Sequence, residues 1–201
     1  HEELLRQATV ARIFDVDVTE ISPSDVKAMY PHLNVSDVVG AVHLPLDGQC
    51  DPGNIAMALA KGARMRGAQI FEHTKVTGVT KAGGRATGVD YIDANGVPGH
   101  IATDVVVNCG GMWGRDIAAQ SGVTLPLHAC EHFYLITEPV EGLGHMPVLR
   151  VPDECAYYKS DAGKMMIGAF EPKAKPWGMT GIREDFEFDT LPEDWDHFMP
   201  I

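Results

Sequence analysis

Four side chains with chemical capacity recur at every second position: His128, Cys130, His132 and Tyr134. Alternate residues of a β-strand share a face, so a strand here turns two imidazoles, a thiol and a phenol to one side. Ala129, Glu131, Phe133 and Leu135 go to the other. An imidazole, with an ordinary pKa near ~6.5, exchanges its proton around neutrality and can hydrogen-bond a reacting amine. Imidazole and thiolate are also zinc ligands. Three ligands along one strand stand too nearly in a row to surround a tetrahedral ion without a fourth from elsewhere, and a packed His or Cys is an ordinary role for 128 or 130. His132 is the functional candidate of the set. A further pair, Tyr157-Tyr158, sits in a later β-rich stretch, where neighbours face opposite ways and only one can serve a site.

A second kind of chemistry is suggested by Thr103–Trp113, which reads Thr-Asp-Val-Val-Val-Asn-Cys-Gly-Gly-Met-Trp. Three valines bounded by a turn signal predict a strand covered on both faces, as in a parallel sheet. Gly110 and Gly111 follow at its carboxyl end, where open α/β sheets bind ligands and where a missing Cβ lets backbone approach a phosphate or ring. An ordinary tight strand-to-helix turn uses the same residues.

The elements that must carry these groups can be read from the rest of the chain. His1–Ala8 has a helical pattern, and Ser22-Pro23-Ser24-Asp25 opens a short helix ending before Pro31. Residues 38–46 are extended. Asp51-Pro52 caps an amphipathic helix with Ile55, Ala58, Leu59, Gly62 and Ala63 on one side, and the small Gly62 and Ala63 suggest close packing on a sheet. From Gln69 the period becomes two: Gln69–His73, Val76–Lys81, Ala86–Ile92 and Val97–Thr103 are extended, and glycine turns join the last three into an antiparallel meander. The helix after Gly111 ends near Gly122. His128–Glu138, Pro147–Arg150, Ala156–Ser160 and Lys164–Ala169 then form a second antiparallel region, with Asp161-Ala-Gly163 as a hairpin turn. Pro172–Gly181 reads as a loop, and a helix begins near Pro192.

A chain of 201 residues with 45% hydrophobic residues can bury a core, and no apolar run approaches the ~20 residues of a membrane span. A net charge of −12 argues against nucleic acid and against acidic membrane surfaces, both of which are bound through Lys and Arg. The four cysteines form no C-x-x-C pair, so a reducing compartment is expected: the cytoplasm, or the mitochondrial matrix of a eukaryote. Both ends fall within helical patterns, which suggests an internal segment of a longer polypeptide.

The order of elements and motifs resembles the middle of the D-amino-acid-oxidase-like FAD-dependent oxidoreductases, over essentially the whole chain. The matching residues are Asp47-Gly48 with Asp51-Pro52, the helix reaching Gly67-Ala68, Thr74-Lys-Val76, Gly88-Val89, Val106–Trp113, Tyr157-Tyr158 and Gly168–Glu171. Pro126–Glu138 is similar to the dimethylglycine and sarcosine dehydrogenase branch. Leu127–Leu135 and Glu193–Phe198 also resemble a non-catalytic relative, the regulatory subunit of pyruvate dehydrogenase phosphatase.

The resemblance implies an α/β fold with α+β character: part of a Rossmann-like FAD-binding domain with a β-meander, and an antiparallel-sheet substrate domain. Residues 1–50 would be linker or substrate-domain sequence, 51–125 part of the FAD domain, and 126–201 a substrate domain truncated at its C-terminus. It implies FAD contacts at Val76, through backbone groups at the adenine, and at Asn108, Gly110, Gly111 and Trp113. His132 and Tyr157, from neighbouring strands of one sheet, would stand near the flavin and the substrate amine. The implied reaction is oxidation of an N-methyl amino acid such as sarcosine or dimethylglycine, with FAD as cofactor, an electron-transfer flavoprotein as acceptor and folate in a further C-terminal domain; a regulatory protein that keeps the fold without turnover is the alternative. The glycine-rich dinucleotide loop of the family is not within these residues. Without the resemblance, Val76 and Trp113 read as core.

Overall fold

The computed structural model describes residues 1–201. In chain order the elements are α1 (Glu2–Ile13), β1 (Thr19–Ile21), α2 (Pro23–Met29), β2 (Ala41–His43), α3 (Pro52–Met65), β3 (Lys75–Ala82), β4 (Arg85–Ile92), β5 (Pro98–Ala102), α4 (Gly114–Gln120), β6 (Ala129–Cys130), β7 (Tyr134–Ile136), β8 (Leu149–Val151), β9 (Ala156–Asp161), β10 (Lys164–Ala169), β11 (Pro176–Trp177) and α5 (Trp195–Phe198). It is a mixed α/β chain with antiparallel sheets, and it falls into two compact units. One comprises His1–Pro52, Phe133–Pro172 and Trp195–Ile201; the other Gly53–His132 and Lys173–Asp194.

The first unit is organised by a four-stranded sheet in the order β7-β10-β9-β8. The β9–β10 hairpin pairs Asp161 with Lys164 through Ala156 with Ala169. Its two-residue turn needs positive φ at both positions, supplied by Ala162 (49°) and Gly163 (78°). The core gathers Ala8 of α1, Val26 of α2, Tyr30, Met146, Ala156 and Ala169. Ser160 is buried among them, and its hydroxyl accepts the Met146 amide at 3.2 Å. Local signals explain α2: the Ser22 hydroxyl accepts the Asp25 amide, the Asp25 carboxylate accepts the Ser22 amide, and Pro23 occupies the first turn.

The second unit is built on the β3-β4-β5 meander. Gly83 and Gly84, with φ of 57° and 79°, close its first hairpin. The second is held by Asp93, whose carboxylate accepts the Asn95 and Val97 amides at 2.8 Å each. That turn chemistry was legible in Asp93-Ala-Asn-Gly96, and the meander forms as the alternation predicts.

Four expectations are corrected. Gln69–His73 is not a strand. Val105–Val107 forms no strand and joins no sheet, and Val105 and Val107 are 69% and 77% exposed. A parallel strand holds only between flanking strands, and none of the four sheets supplies them here; instead the Thr103 hydroxyl bonds the Val105 carbonyl at 3.0 Å. Helix α3 forms where its cap and period place it, yet it buries no residue, and a Cβ at Gly62 would meet nothing within 4 Å. Local propensity sets the helix, while packing on a sheet would need a partner that these residues do not provide. The strand read over His128–Glu138 is split into β6, which pairs β11, and β7, which pairs β10.

Candidate functional site

In the second unit the glycine turn is organised by Asn108. Its Oδ1 accepts the Gly110 amide at 3.0 Å and its Nδ2 donates to the Gly114 carbonyl at 2.9 Å, so one side chain spans the turn and fixes the start of α4. Gly110 lets Ile117 pack against the turn: a Cβ there would lie 2.3 Å from Ile117 Cδ1 and would force that side chain to shift. Gly111 is required conformationally: φ is 52°, and the space around its Cα is open. Bare backbone is therefore open at Gly111, an arrangement that fits close approach by a flat or anionic group. Trp113 follows in a short 3-10 turn, and its indole Nε1 donates to the Arg183 carbonyl at 3.1 Å. Val76 lies on β3 opposite Tyr91, next to a register irregularity between Val76 and Gly78.

The sequence reading missed how residues 173–194 bind this unit. β11 pairs with β6, Lys75 meets Glu184 at 2.5 Å, and the Arg115 guanidinium donates to the Met179 carbonyl at 3.1 Å. Lys175 joins Asp194 at 2.9 Å and Glu131 at 3.1 Å, and these two acceptors, Asp194 first, hold its ammonium pKa above the ordinary lysine value. Only the scattered charges Lys173, Lys175, Arg183 and Glu184 signalled that this segment is fastened.

The 128–134 stretch keeps its alternation without being one strand. His128, Cys130, His132 and Tyr134 are the exposed members, and Ala129, Glu131, Phe133 and Leu135 the half-buried ones. Cys130 Sγ stands 3.6 Å from His128 Nδ1, which is also 3.0 Å from the Ala129 carbonyl oxygen. No three His, Cys, Asp or Glu side chains gather in a metal-ligating cluster. His132 is the last residue of the second unit's first segment, so it is not in the sheet that carries Tyr157. The physical reason is hydrogen-bonding demand: Glu131 donates its amide to the Lys175 carbonyl, while Ala169 takes the Phe133 carbonyl, so successive residues are committed to different ladders.

In the first unit one row of directly opposed residues crosses the four-stranded sheet: Tyr134, Gly168, Tyr157 and Arg150. Opposed residues in antiparallel strands share a face. Gly168 is the gap in that row, and the Tyr157 ring lies over it; a Cβ on Gly168 would sit 1.9 Å from Tyr157 Cζ. Phe170 packs on the Tyr157 ring with centroids 5.1 Å apart, and the Arg150 guanidinium stacks 4.6 Å from the Phe170 centroid. Burial, then the Glu171 charge and Tyr134, push the Tyr157 phenol above its ordinary pKa. The Glu171 carboxylate also accepts the Phe133 amide at 3.0 Å. Tyr158 takes the other face, opposed to Leu149 and Ile167, with its hydroxyl 3.5 Å from Glu154.

Asn108, Gly110, Gly111 and Trp113 thus share one turn, Val76 lies on the meander of the same unit, His132 ends that unit's first segment, and Tyr157 belongs to the other unit. Meander, glycine turn and antiparallel sheet follow one another along the chain, and the class they belong to is that of the FAD-dependent oxidoreductases. The family described as "DAO: FAD dependent oxidoreductase" matches residues 1–201, and the chain belongs to it. Human mitochondrial sarcosine dehydrogenase is 33% identical over 202 residues, covering 98% of this chain and 21% of that protein. The mouse mitochondrial pyruvate dehydrogenase phosphatase regulatory subunit is 36% identical over 185 residues, covering 90% of this chain and 20% of that protein. The chain therefore spans about a fifth of the curated relatives it matches. Among solved structures, L-proline dehydrogenase from P. horikoshii superposes with a TM-score of 0.71 at 24% identity, covering 96% of this chain and 48% of that one. No helix is long and apolar enough to cross a membrane.

Proposed function

We propose that this chain is part of an FAD-dependent enzyme that oxidatively demethylates an N-methyl amino acid such as sarcosine or dimethylglycine. The observation that carries the reading is the likeness to sarcosine dehydrogenase across 98% of the chain, within a family match that spans it. In this proposal Val76, Asn108, Gly110, Gly111 and Trp113 hold FAD, Gly111 by leaving backbone uncovered, Gly110 by letting Ile117 pack against the turn and Asn108 by fixing it. Bound FAD supplies the two-electron redox chemistry, accepting hydride from the N-methyl carbon, and an electron-transfer flavoprotein is the proposed acceptor from it.

The residues have distinct tasks. An alkylammonium has no lone pair to assist hydride loss, so the amine must shed its proton; His132, an exposed imidazole, accepts it. Tyr157, its phenol held protonated by burial and by Glu171, serves as a hydrogen-bond donor to the substrate.

A regulatory protein that keeps the fold without turnover is the second reading, favoured by the 36% identity to the phosphatase regulatory subunit. Anaerobic mixing of the full-length protein with sarcosine or dimethylglycine separates the two. The enzyme bleaches its flavin absorbance; a regulator leaves bound flavin oxidised with either amine, and that result overturns the proposal.

A further inference from the structure

We propose that the first unit holds a further small-ligand site at the turn end of the β9–β10 hairpin, and that it takes a small alkylammonium carrying a neutral oxygen, such as an amino alcohol. A cavity of about 330 Å³ lies there, and its lining includes Gln49, Gly144, His145, Ser160, Asp161 and Gly163. Three stretches distant in sequence meet around it: the end of the unit's first segment, the loop before β8, and the hairpin. Backbone is uncovered at Gly144 and Gly163, where even an added Cβ would meet nothing within 4 Å. The cavity is separate from the tyrosine row. Ser160 shares a sheet face with Tyr158, opposite to that of Tyr157, and Asp161 lies four residues, about 13 Å, along β9 from Tyr157.

Unmet polar groups define the ligand. Ser160 is only 7% exposed and its oxygen already accepts the Met146 amide, so its O–H proton has no acceptor in the protein. A buried donor without an acceptor is costly, and an oxygen of a ligand in the cavity would take this one. Asp161 enters no ion pair, although Lys164 is directly opposed to it across the hairpin. In a chain of net charge −12 that carboxylate selects a cation. The side chains of Gln49 and His145 make no hydrogen bond within the protein, and each offers a donor and an acceptor. A ligand carboxylate would be repelled by Asp161, so the ligand oxygen is a neutral one. One carboxylate and one imidazole fall short of a metal-ligating cluster, and the volume is at the small end for ligand sites, which suits a molecule of a few heavy atoms.

The test is isothermal titration of the full-length protein with ethanolamine. Ethylene glycol, in which a hydroxyl replaces the ammonium, and ethylamine, which lacks the oxygen, are the comparators. Ethanolamine should bind saturably in the millimolar range or tighter, and ethylene glycol should not. Ethylamine should bind about two- to tenfold more weakly than ethanolamine, the range for one neutral hydrogen bond. Asp161→Asn, a conservative change at an exposed position, should weaken ethanolamine about five- to fiftyfold, between the values for an exposed ion pair and a buried charge-assisted bond. Ser160→Ala should bring ethanolamine down to the affinity of ethylamine; if that variant fails to fold because the Met146 amide loses its acceptor, the ethylamine comparison in the wild type decides. Absence of saturable ethanolamine binding, equal affinity in wild type and Asp161→Asn, or ethylene glycol or ethylamine binding as tightly as ethanolamine overturns the proposal. None of these outcomes depends on flavin reduction, so the enzyme reading stands or falls separately.

Discussion

Replacing Gly168 by alanine should displace the Tyr157 ring. The added Cβ would lie 1.9 Å from Cζ, 2.2 Å from the hydroxyl oxygen and 2.3 Å from Cε1 of Tyr157, so the ring cannot remain over the strand. Two effects oppose. Alanine restricts the unfolded chain and favours the folded state by ~0.5–1 kcal/mol relative to glycine, while overpacking a filled site costs ~1–3 kcal/mol. Gly168 is not among the positive-φ glycines, so backbone strain adds nothing. The net expectation is a loss of ~1–2 kcal/mol, a few degrees in melting temperature by calorimetry of the intact protein. Tyr157→Ala removes the obstacle, so Gly168→Ala should be neutral or stabilising in that background, giving a coupling of ~1–3 kcal/mol. Gly62→Ala, in an exposed helix with open space at Cβ, is the control and should stabilise by ~0.5–1 kcal/mol. Additive effects of the Gly168 and Tyr157 changes would refute the ring-over-glycine geometry, and with it the row on which Tyr157 and Arg150 are placed.

In the full-length enzyme, His132→Ala should slow flavin reduction by ~10²–10⁴-fold in stopped flow with little change in melting temperature; an unchanged rate refutes its role. Tyr157→Phe should slow reduction or raise the apparent pKa governing it, while Tyr158→Phe is nearly silent; the reverse ranking would move the site to the other sheet face. Folding raises the Tyr157 pKa, so the contribution tied to its neutral form is complete below about 10 and is lost as pH rises through the folded value; alkaline unfolding should lose that component in Tyr157→Phe. Asp93 is the opposite case. Its pKa is lowered by bonds from the Val97 and Asn95 amides, so its contribution is present above the ordinary aspartate value and disappears as pH falls through the lowered one, and Asp93→Ala should flatten the acid limb of a melting-temperature profile. Trp113→Phe, which deletes the bond to the Arg183 carbonyl together with the pyrrole half of a half-buried indole, should cost at least the ~0.5–1.5 kcal/mol of that bond by denaturant titration and expose residues 173–194 to protease.

What the sequence made legible was local. Ser22-Pro23-Ser24-Asp25, Asp93-Ala-Asn-Gly96 and Asp161-Ala-Gly163 carry their own hydrogen-bond and φ requirements, so the helix and hairpins they specify form where expected. The two tyrosine faces followed from the period of two. Long-range pairing was not legible. Val105–Val107 has the composition of a buried strand, but composition does not say whether neighbours are present to bury it. His128–Glu138 alternates without a break, yet its backbone groups divide between ladders with β11 and β10, a choice set by residues 30 to 48 positions later. Arg150 carried no assignment in the sequence, where a carboxylate partner and a solvated charge are equally open; its stack on Phe170 emerges only when β8 and β10 lie on either side of β9.

The chain leaves one unit and returns to it repeatedly, crossing near residues 52, 132, 172 and 194. During synthesis, residues 53–132 emerge as a continuous stretch that already contains the whole meander and the glycine turn. The four-stranded sheet cannot begin until residues 134–169 follow, and α5 joins its unit last. A stalled or truncated product would therefore keep hairpins with short-range pairing and lose the tyrosine face. Limited proteolysis of the finished protein has a matching outcome: no single cut frees either unit, because each is threaded through the other's sequence, and nicked chains should stay associated until denatured.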